Sequence, residues 1–144
     1  MIRSLLVATV LVAATATVVA QSDPIETRRN IMKGVGAATR TGTQMAKGEI
    51  PFDLAKAQQV LKTYAAAADG FHNHFPPNSK TGGQTTAAPA VWENEADFRA
   101  RFDAWAKDIQ AASSQAKDLD SFRAAFGTVT KSCGACHNTY RIKT

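Results

Sequence analysis

Two cysteines and a histidine near the carboxyl end of the chain have types and a spacing that suit covalent cofactor chemistry. Cys133, Cys136 and His137 form the pattern Cys-x-x-Cys-His, and these are the only 2 cysteines among the 144 residues. Cysteines three positions apart on a helix lie on one face, so their thiols can add to two vinyl groups at one porphyrin edge. The imidazole that follows can bind the iron. The motif therefore predicts covalently attached c-type haem, with His137 as its proximal ligand.

The same cysteine pair leaves other interpretations open. In an exported protein the two thiols can form a disulfide. A zinc ion can use both sulfurs and two further ligands, and His72 and His74 are the only other histidines. A thioredoxin-like redox site needs neighbouring strands, which the sequence does not indicate. The histidine that follows Cys136 and the helical context favour haem, and we interpret His72 and His74 as exposed loop residues.

The first 20 residues have the pattern of a secretory signal peptide. Arg3 precedes a run of Leu, Val, Ala and Thr from residue 5 to residue 20, which ends in the small residues Val18-Val19-Ala20. The alternative is a membrane anchor, but the run is shorter than the roughly 20 residues that a spanning helix needs. We therefore expect removal of residues 1–20, export to a bacterial periplasm, and no membrane insertion of the processed chain.

The charge of the chain is mildly basic and mixed. The full sequence has 17 Lys and Arg against 12 Asp and Glu, and removal of Arg3 with the leader leaves a net charge of +4. Basic and acidic residues alternate along most of the chain, which does not suit nucleic-acid binding. The sequence shows no acid–base pair and no nucleophile with a base beside it, so we expect a protein that is not an enzyme.

Apolar residues recur at helical spacing in four stretches, at about 24–47, 53–69, 91–117 and 120–140. A linker at 71–90 with Pro76-Pro77 and Gly82-Gly83 separates the second stretch from the third. We expect it to lie over the surface or to cover another part of the protein. The pattern predicts an all-α fold, an antiparallel four-helix bundle. The stripes are rich in alanine and bury little apolar area, so a large apolar group would stabilise the core.

A Cys-x-x-Cys-His motif on the last helix of such a bundle resembles the class II cytochrome c family, which comprises cytochrome c prime and its low-spin relatives. The segments TRRNIMKGVG (27–36), MAKGEIPFD (45–53), FPPNSKTGG (75–83) and PAVWENEADF (89–98) are similar to family segments. The resemblance covers residues 23–143. It implies that residues 21–144 form one class II c-type cytochrome domain with one covalent haem.

The resemblance also implies roles for three residues outside the motif. Arg28 matches an arginine near the haem propionates, Met32 matches the position over the distal face, and Arg141 matches the basic residue beside the proximal ligand. In the alternative interpretation, Arg28 and Arg141 are solvated surface charges and Met32 is a packing residue of the core. We interpret Met45, further along the first helix, as core.

Whether Met32 binds the iron distinguishes the two mechanisms found among members of the family. If its sulfur binds the iron, the iron is six-coordinate and the protein is a one-electron carrier with a raised reduction potential. If Met32 only packs nearby, the open position admits NO or CO. We favour ligation. Redox proteins are the expected partners, steered by a basic rim of Lys131, Arg141 and Lys143, and the resemblance also implies a homodimer for some relatives.

Overall fold

A computed structural model describes residues 23–143, so the predicted signal peptide lies outside the described residues. Five α-helices and two short 3-10 turns account for most of this part of the chain. None of the helices within residues 23–143 has both the length and the apolarity needed to cross a bilayer. The helices are α1 (Pro24–Lys47), α2 (Leu54–Ala68), α3 (Ala90–Glu93), α4 (Glu95–Gln115) and α5 (Leu119–Tyr140), and the turns are Phe71–His74 and Pro77–Ser79.

Capping interactions define the ends of the helices that carry the predicted site residues. The Asp23 side chain accepts a hydrogen bond from the Ile25 amide at 2.8 Å, and Pro24 fills the first position of α1. Gly48 ends α1 in the left-handed conformation at φ 76°. Asp118 and Ser121 form a reciprocal capping box at the start of α5. These caps fix the bounds of the helices that carry the predicted site residues.

The long helices pack as a ring, because α1 contacts α2 and α5, and α4 contacts α2 and α5. This arrangement confirms the predicted four-helix bundle. The predicted stripes of α2 and α4 are buried, and Met45 is 0% exposed, as expected for a core residue. Tyr64, Trp105 and Phe126 form the centre of the core, where the Tyr64 and Trp105 ring centroids lie 5.6 Å apart.

The prediction of one continuous helix over 91–117 is wrong at its start. Asn94 has φ −131° and ψ 50°, which are not helical, so the short α3 ends before α4 begins. The indole nitrogen of Trp92 on α3 donates to the Phe75 carbonyl at 2.8 Å. This contact ties α3 to the preceding linker rather than to the axis of α4, and asparagine is a residue type that commonly flanks a helix start.

The linker, residues 71–89 in the structure, is anchored to the carboxyl end of α5. Ala87 and Arg141 form an isolated antiparallel bridge. The Ala88 amide donates to the Tyr140 carbonyl at 3.0 Å, and the Ile142 amide donates to the Thr86 carbonyl at 2.8 Å. The linker therefore lies beside the helix end that carries the cysteine motif.

Gly42 marks a close approach of α1 and α5, which gives a test of the packing. A Cβ atom at Gly42 would lie 2.4 Å from Cε2 of the buried Phe126 ring. We expect Gly42→Ala to lower the free energy of unfolding by roughly 1–3 kcal/mol, as overpacking does. The matched control is Gly34→Ala on the same helix, where nothing lies within 4 Å; we expect it to stabilise by up to about 1 kcal/mol. Urea unfolding measures both, and a Gly42→Ala variant as stable as wild type would contradict the packing.

Candidate haem site

Helix α5 places the cysteine motif in its last two turns. Cys133 and Cys136 are half-buried, unbridged thiols, and burial raises the pKa of each. Side chains three positions apart on a helix have Cβ atoms about 5–6 Å apart, whereas a disulfide needs roughly 3.5–4.5 Å. A disulfide between them would therefore require the helix to deform, and the intact helix suits two separate bonds to one large group.

A cleft of about 800 Å³ opens between α1, the linker, α4 and α5. Its volume is within the roughly 300–1,000 Å³ of typical ligand pockets. The motif forms part of the wall, and aromatic side chains supply much of the apolar lining. The residues of these two kinds are Cys133, Cys136, His137, Phe71, Phe75, Phe98, Phe102 and Tyr140.

The charged residues of the cleft are all of one sign. Arg28, Arg29, Lys33 and Arg141 line it, and no acidic side chain does so among the residues that the structure describes. A cavity with aromatic walls and a cationic lining suits a flat apolar macrocycle that carries carboxylates. The residues present therefore fit a haem group whose thioether bonds form at Cys133 and Cys136.

A smaller cavity of about 160 Å³ adjoins the same motif on the side of α4. Both spaces are lined by Cys133, Cys136 and His137, and Met32 of α1 lines both of them as well. The structure thus brings Met32 to the same space as His137 from a different helix. Desolvation by the surrounding residues, and then the charge of Arg141, lower the pKa of His137, which favours the neutral imidazole that binds metals.

Arg28 is not a solvated charge, so that alternative is wrong. It is 4% exposed. One terminal nitrogen donates to the His74 carbonyl at 3.0 Å and to Ser79 Oγ at 2.9 Å, and the other donates to the Ser79 carbonyl at 3.0 Å and to Thr85 Oγ1 at 2.6 Å. Its guanidinium carbon lies 4.6 Å from the centre of the Phe75 ring. Arg28 therefore fixes the linker against α1 at the cleft.

Arg141 lies just after α5, where its amide donates to the His137 carbonyl at 3.2 Å and its backbone bridges to Ala87. It lines the cleft, whereas Lys131 and Lys143 are exposed and line neither space. Of the three residues of the predicted basic rim, only Arg141 also lines the cleft, where the α1 cations Arg29 and Lys33 join it.

The structure does not bring the other histidines to the cysteines. His72 contacts Arg99, with 2.8 Å between its Nε2 atom and the arginine Nη1 atom, and it is half-buried rather than exposed. His74 is half-buried next to the segment that Arg28 holds. Within residues 23–143 no three His, Cys, Asp or Glu side chains form a cluster suited to a metal ion. The zinc interpretation therefore has no ligand set in this part of the chain.

An ion pair that was not predicted from the sequence lies beside the motif. Arg101 of α4 lines the smaller cavity, and its Nε atom lies 2.7 Å from Oδ2 of Asp97. The Tyr140 hydroxyl donates to the same carboxylate. The spacing of Asp97 and Arg101, four residues apart on a helix, is the signal that identifies such a pair.

Together these features define a class of protein, a c-type haem protein built on a four-helix bundle. The family model for cytochrome c' matches residues 23–141, and the chain belongs to this family, the class II cytochromes c. Its members carry one covalently attached c-type haem per chain.

The relatives include both kinds of family member. The chain is 37% identical over 142 residues to a cytochrome c' of Rhodopseudomonas palustris, covering 99% of this chain and 97% of the relative. It is 35% identical over 120 residues to a cytochrome c-556 of Agrobacterium tumefaciens, covering 83% and 97% of the two chains. A solved structure of a cytochrome c' from Rhodopseudomonas palustris superposes with a TM-score of 0.83 at 39% identity, covering 86% of this chain and 99% of that one.

Proposed function

We propose that this chain is a periplasmic one-electron carrier whose haem is bonded to Cys133 and Cys136, with His137 and Met32 as the two iron ligands. The observation that carries the proposal is that Met32 and His137 line the same two spaces from different helices. When bound, the haem supplies an iron that changes valence by one electron. The proposal includes residues 1–20 as the export signal that is removed.

The residues of the site have different proposed roles toward the haem. The cysteines on α5 would hold the group in place, and the lowered pKa of His137 favours the neutral imidazole that binds a metal. The aromatic wall reduces the contact of the group with water, and burial of this kind is one of the factors that set the reduction potential of a haem. Arg28, Arg29, Lys33 and Arg141 favour anionic groups at the cleft. We assign the propionate carboxylates to this cationic side.

The same cations would also attract an acidic partner protein. Lys33 and Arg141 are exposed, and Arg29 is half-buried. An acidic redox protein that approaches the cleft would be attracted by them, and its association rate would fall as salt rises. We propose partners of this kind. A rate of electron transfer to an acidic redox protein that stays constant as salt rises would contradict this choice.

A second function follows if Met32 packs beside the iron without binding it. The iron then has an open position, and the protein binds NO or CO. The observation that favours this candidate is the cavity of about 160 Å³ beside the motif, which Met32 and His137 both line. The family binds such gases, so this function is the alternative to electron transfer.

Met32→Ala tests the assignment of the distal ligand. For a ligating Met32, we expect reduced wild-type protein to give a low-spin spectrum that changes little with CO. The variant should be high-spin, react with CO and have a lower reduction potential, since a thioether ligand raises the potential. Optical spectra with and without CO measure all of this.

The control is Met45→Leu, which changes a methionine in the same helix that lies in the core. Its spectrum should match that of wild type, because exchange of methionine for leucine conserves volume. A low-spin spectrum that survives Met32→Ala would remove Met32 from the ligands. A wild-type protein that is high-spin and reacts with CO would favour gas binding.

A further inference from the structure

Asp97 and Arg101 form an ion pair that is held against the end of α5. The Arg101 Nε atom lies 2.7 Å from Asp97 Oδ2, and the Tyr140 hydroxyl donates to that oxygen. The guanidinium carbon also lies 5.4 Å from the centre of the Tyr140 ring. Tyr140 is the last residue of α5 and is 5% exposed. The pair is therefore positioned by a buried ring three residues after His137.

This pair lies within electrostatic range of the attachment motif. Arg101 lines the smaller cavity together with Cys136 and His137, and Tyr140 lines the larger cleft. Asp97 contacts both Arg101 and Tyr140, through its ion pair with Arg101 and the hydrogen bond from Tyr140. The two opposite charges therefore lie beside the residues that we assign to the haem attachment.

We propose that Asp97 and Arg101 are an electrostatic pair that sets the reduction potential of the haem, with Arg101 raising it and Asp97 lowering it. The inference rests on the proposed function, since it takes the haem to be bonded at Cys133 and Cys136. Reduction adds one negative charge to the iron site, so a nearby cation stabilises the reduced form and a nearby anion destabilises it. Tyr140 fixes the distance of both charges through the shared carboxylate oxygen.

Because the ion pair is exposed, its effect on the reduction potential can be measured apart from any effect on stability. The side chains of Arg101 and Asp97 are 38% and 56% exposed. Exposed ion pairs contribute only about 0–1 kcal/mol to stability, so neutral replacements should leave the fold intact. The same exposure means that salt screens both charges, and the shifts of the potential should therefore shrink as salt rises.

The test compares the midpoint potentials of charge-removing variants by spectroelectrochemical titration of the holoprotein. Asp97→Asn keeps a hydrogen-bond acceptor for Tyr140 and should raise the potential. Arg101→Gln should lower it, and Arg101→Lys should restore a value near that of wild type. The double variant, Asp97→Asn with Arg101→Gln, should have a midpoint potential between those of the two single variants. Urea unfolding of each variant checks that the fold is unchanged.

The matched controls are Asp103→Asn and Lys107→Gln. Both residues are exposed on the same helix, have the same spacing of four, and line neither space. Each control repeats a charge change of the test and should leave the potential near that of wild type. Single variants at 97 and 101 that shift the potential in the same direction would overturn the inference, as would controls that shift it equally. A wild-type protein without covalent haem would instead overturn the proposed function, and the inference with it.

Discussion

A variant with both Cys133→Ser and Cys136→Ser is expected to carry no covalent haem when it is made in cells that mature c-type cytochromes. Serine hydroxyls do not form the thioether bonds that the two thiols form. The loss should also lower stability, because a group that binds only the folded state stabilises it, and the cleft of about 800 Å³ would lose its occupant. The measurements are haem staining after denaturing electrophoresis, intact mass and thermal unfolding.

The control for this variant is Ser132→Ala, which alters the half-buried neighbour of Cys133 on the same helix. Its haem content should equal that of wild type. Wild type itself should offer no thiol to an alkylating reagent after denaturation. Two free thiols and the mass of the bare processed chain would contradict the site, and a mass lower by two hydrogens would identify the disulfide.

Arg28→Met is expected to lower the free energy of unfolding by about 3 kcal/mol or more, the largest effect among the substitutions outside the motif. Hydrogen bonds from a charged donor contribute about 1.5–3 kcal/mol each, and their buried acceptors lose their partner in the variant. Four such bonds join Arg28 to the linker at His74, Ser79 and Thr85. Burial lowers the pKa of Arg28 and the charge of Asp23 partly offsets this, but arginine stays charged at neutral pH.

Arg29→Met is the matched control, since it removes the same charge one residue along. Arg29 makes one exposed hydrogen bond, to Gln84, so its replacement should change stability by no more than about 0.5 kcal/mol. Arg28→Lys should recover only part of the loss, because an ammonium lacks the planar fork that reaches several acceptors. Equal urea midpoints for the variants at 28 and 29 would contradict the structural role of Arg28.

The helices and the motif were predictable because their determinants are local. The apolar residues from Phe98 to Ala112 and the pattern Cys133-x-x-Cys136-His137 each lie within a single helix, where spacing alone determines which side chains share a face. The break at Asn94 was missed, and it accompanies a contact of Trp92 with Phe75, 17 residues away in the chain. A contact of that kind has no trace in periodicity.

The contacts around the site were not predictable for the same reason. Arg28 meets Ser79 and Thr85, more than 50 residues away, in a linker without helical repeat. The partner of Asp97 at Tyr140 is likewise set by how α4 packs on α5. The residue types that bear chemistry are visible in the sequence, while the partners of Arg28 and Asp97 depend on tertiary packing. The roles assigned to Arg28, Met32 and Arg141 toward the haem stay predictions.

Helix α1 contains Gly34, Gly36 and Gly42, and each interior glycine weakens a helix by roughly 0.5–1 kcal/mol. Its order depends on its neighbours α2 and α5 rather than on its own propensity. If Met32 binds the iron as proposed, attachment of the haem on α5 also holds α1 in place. Haem binding and the stability of the bundle would then be coupled, because a group that binds only the folded state stabilises it.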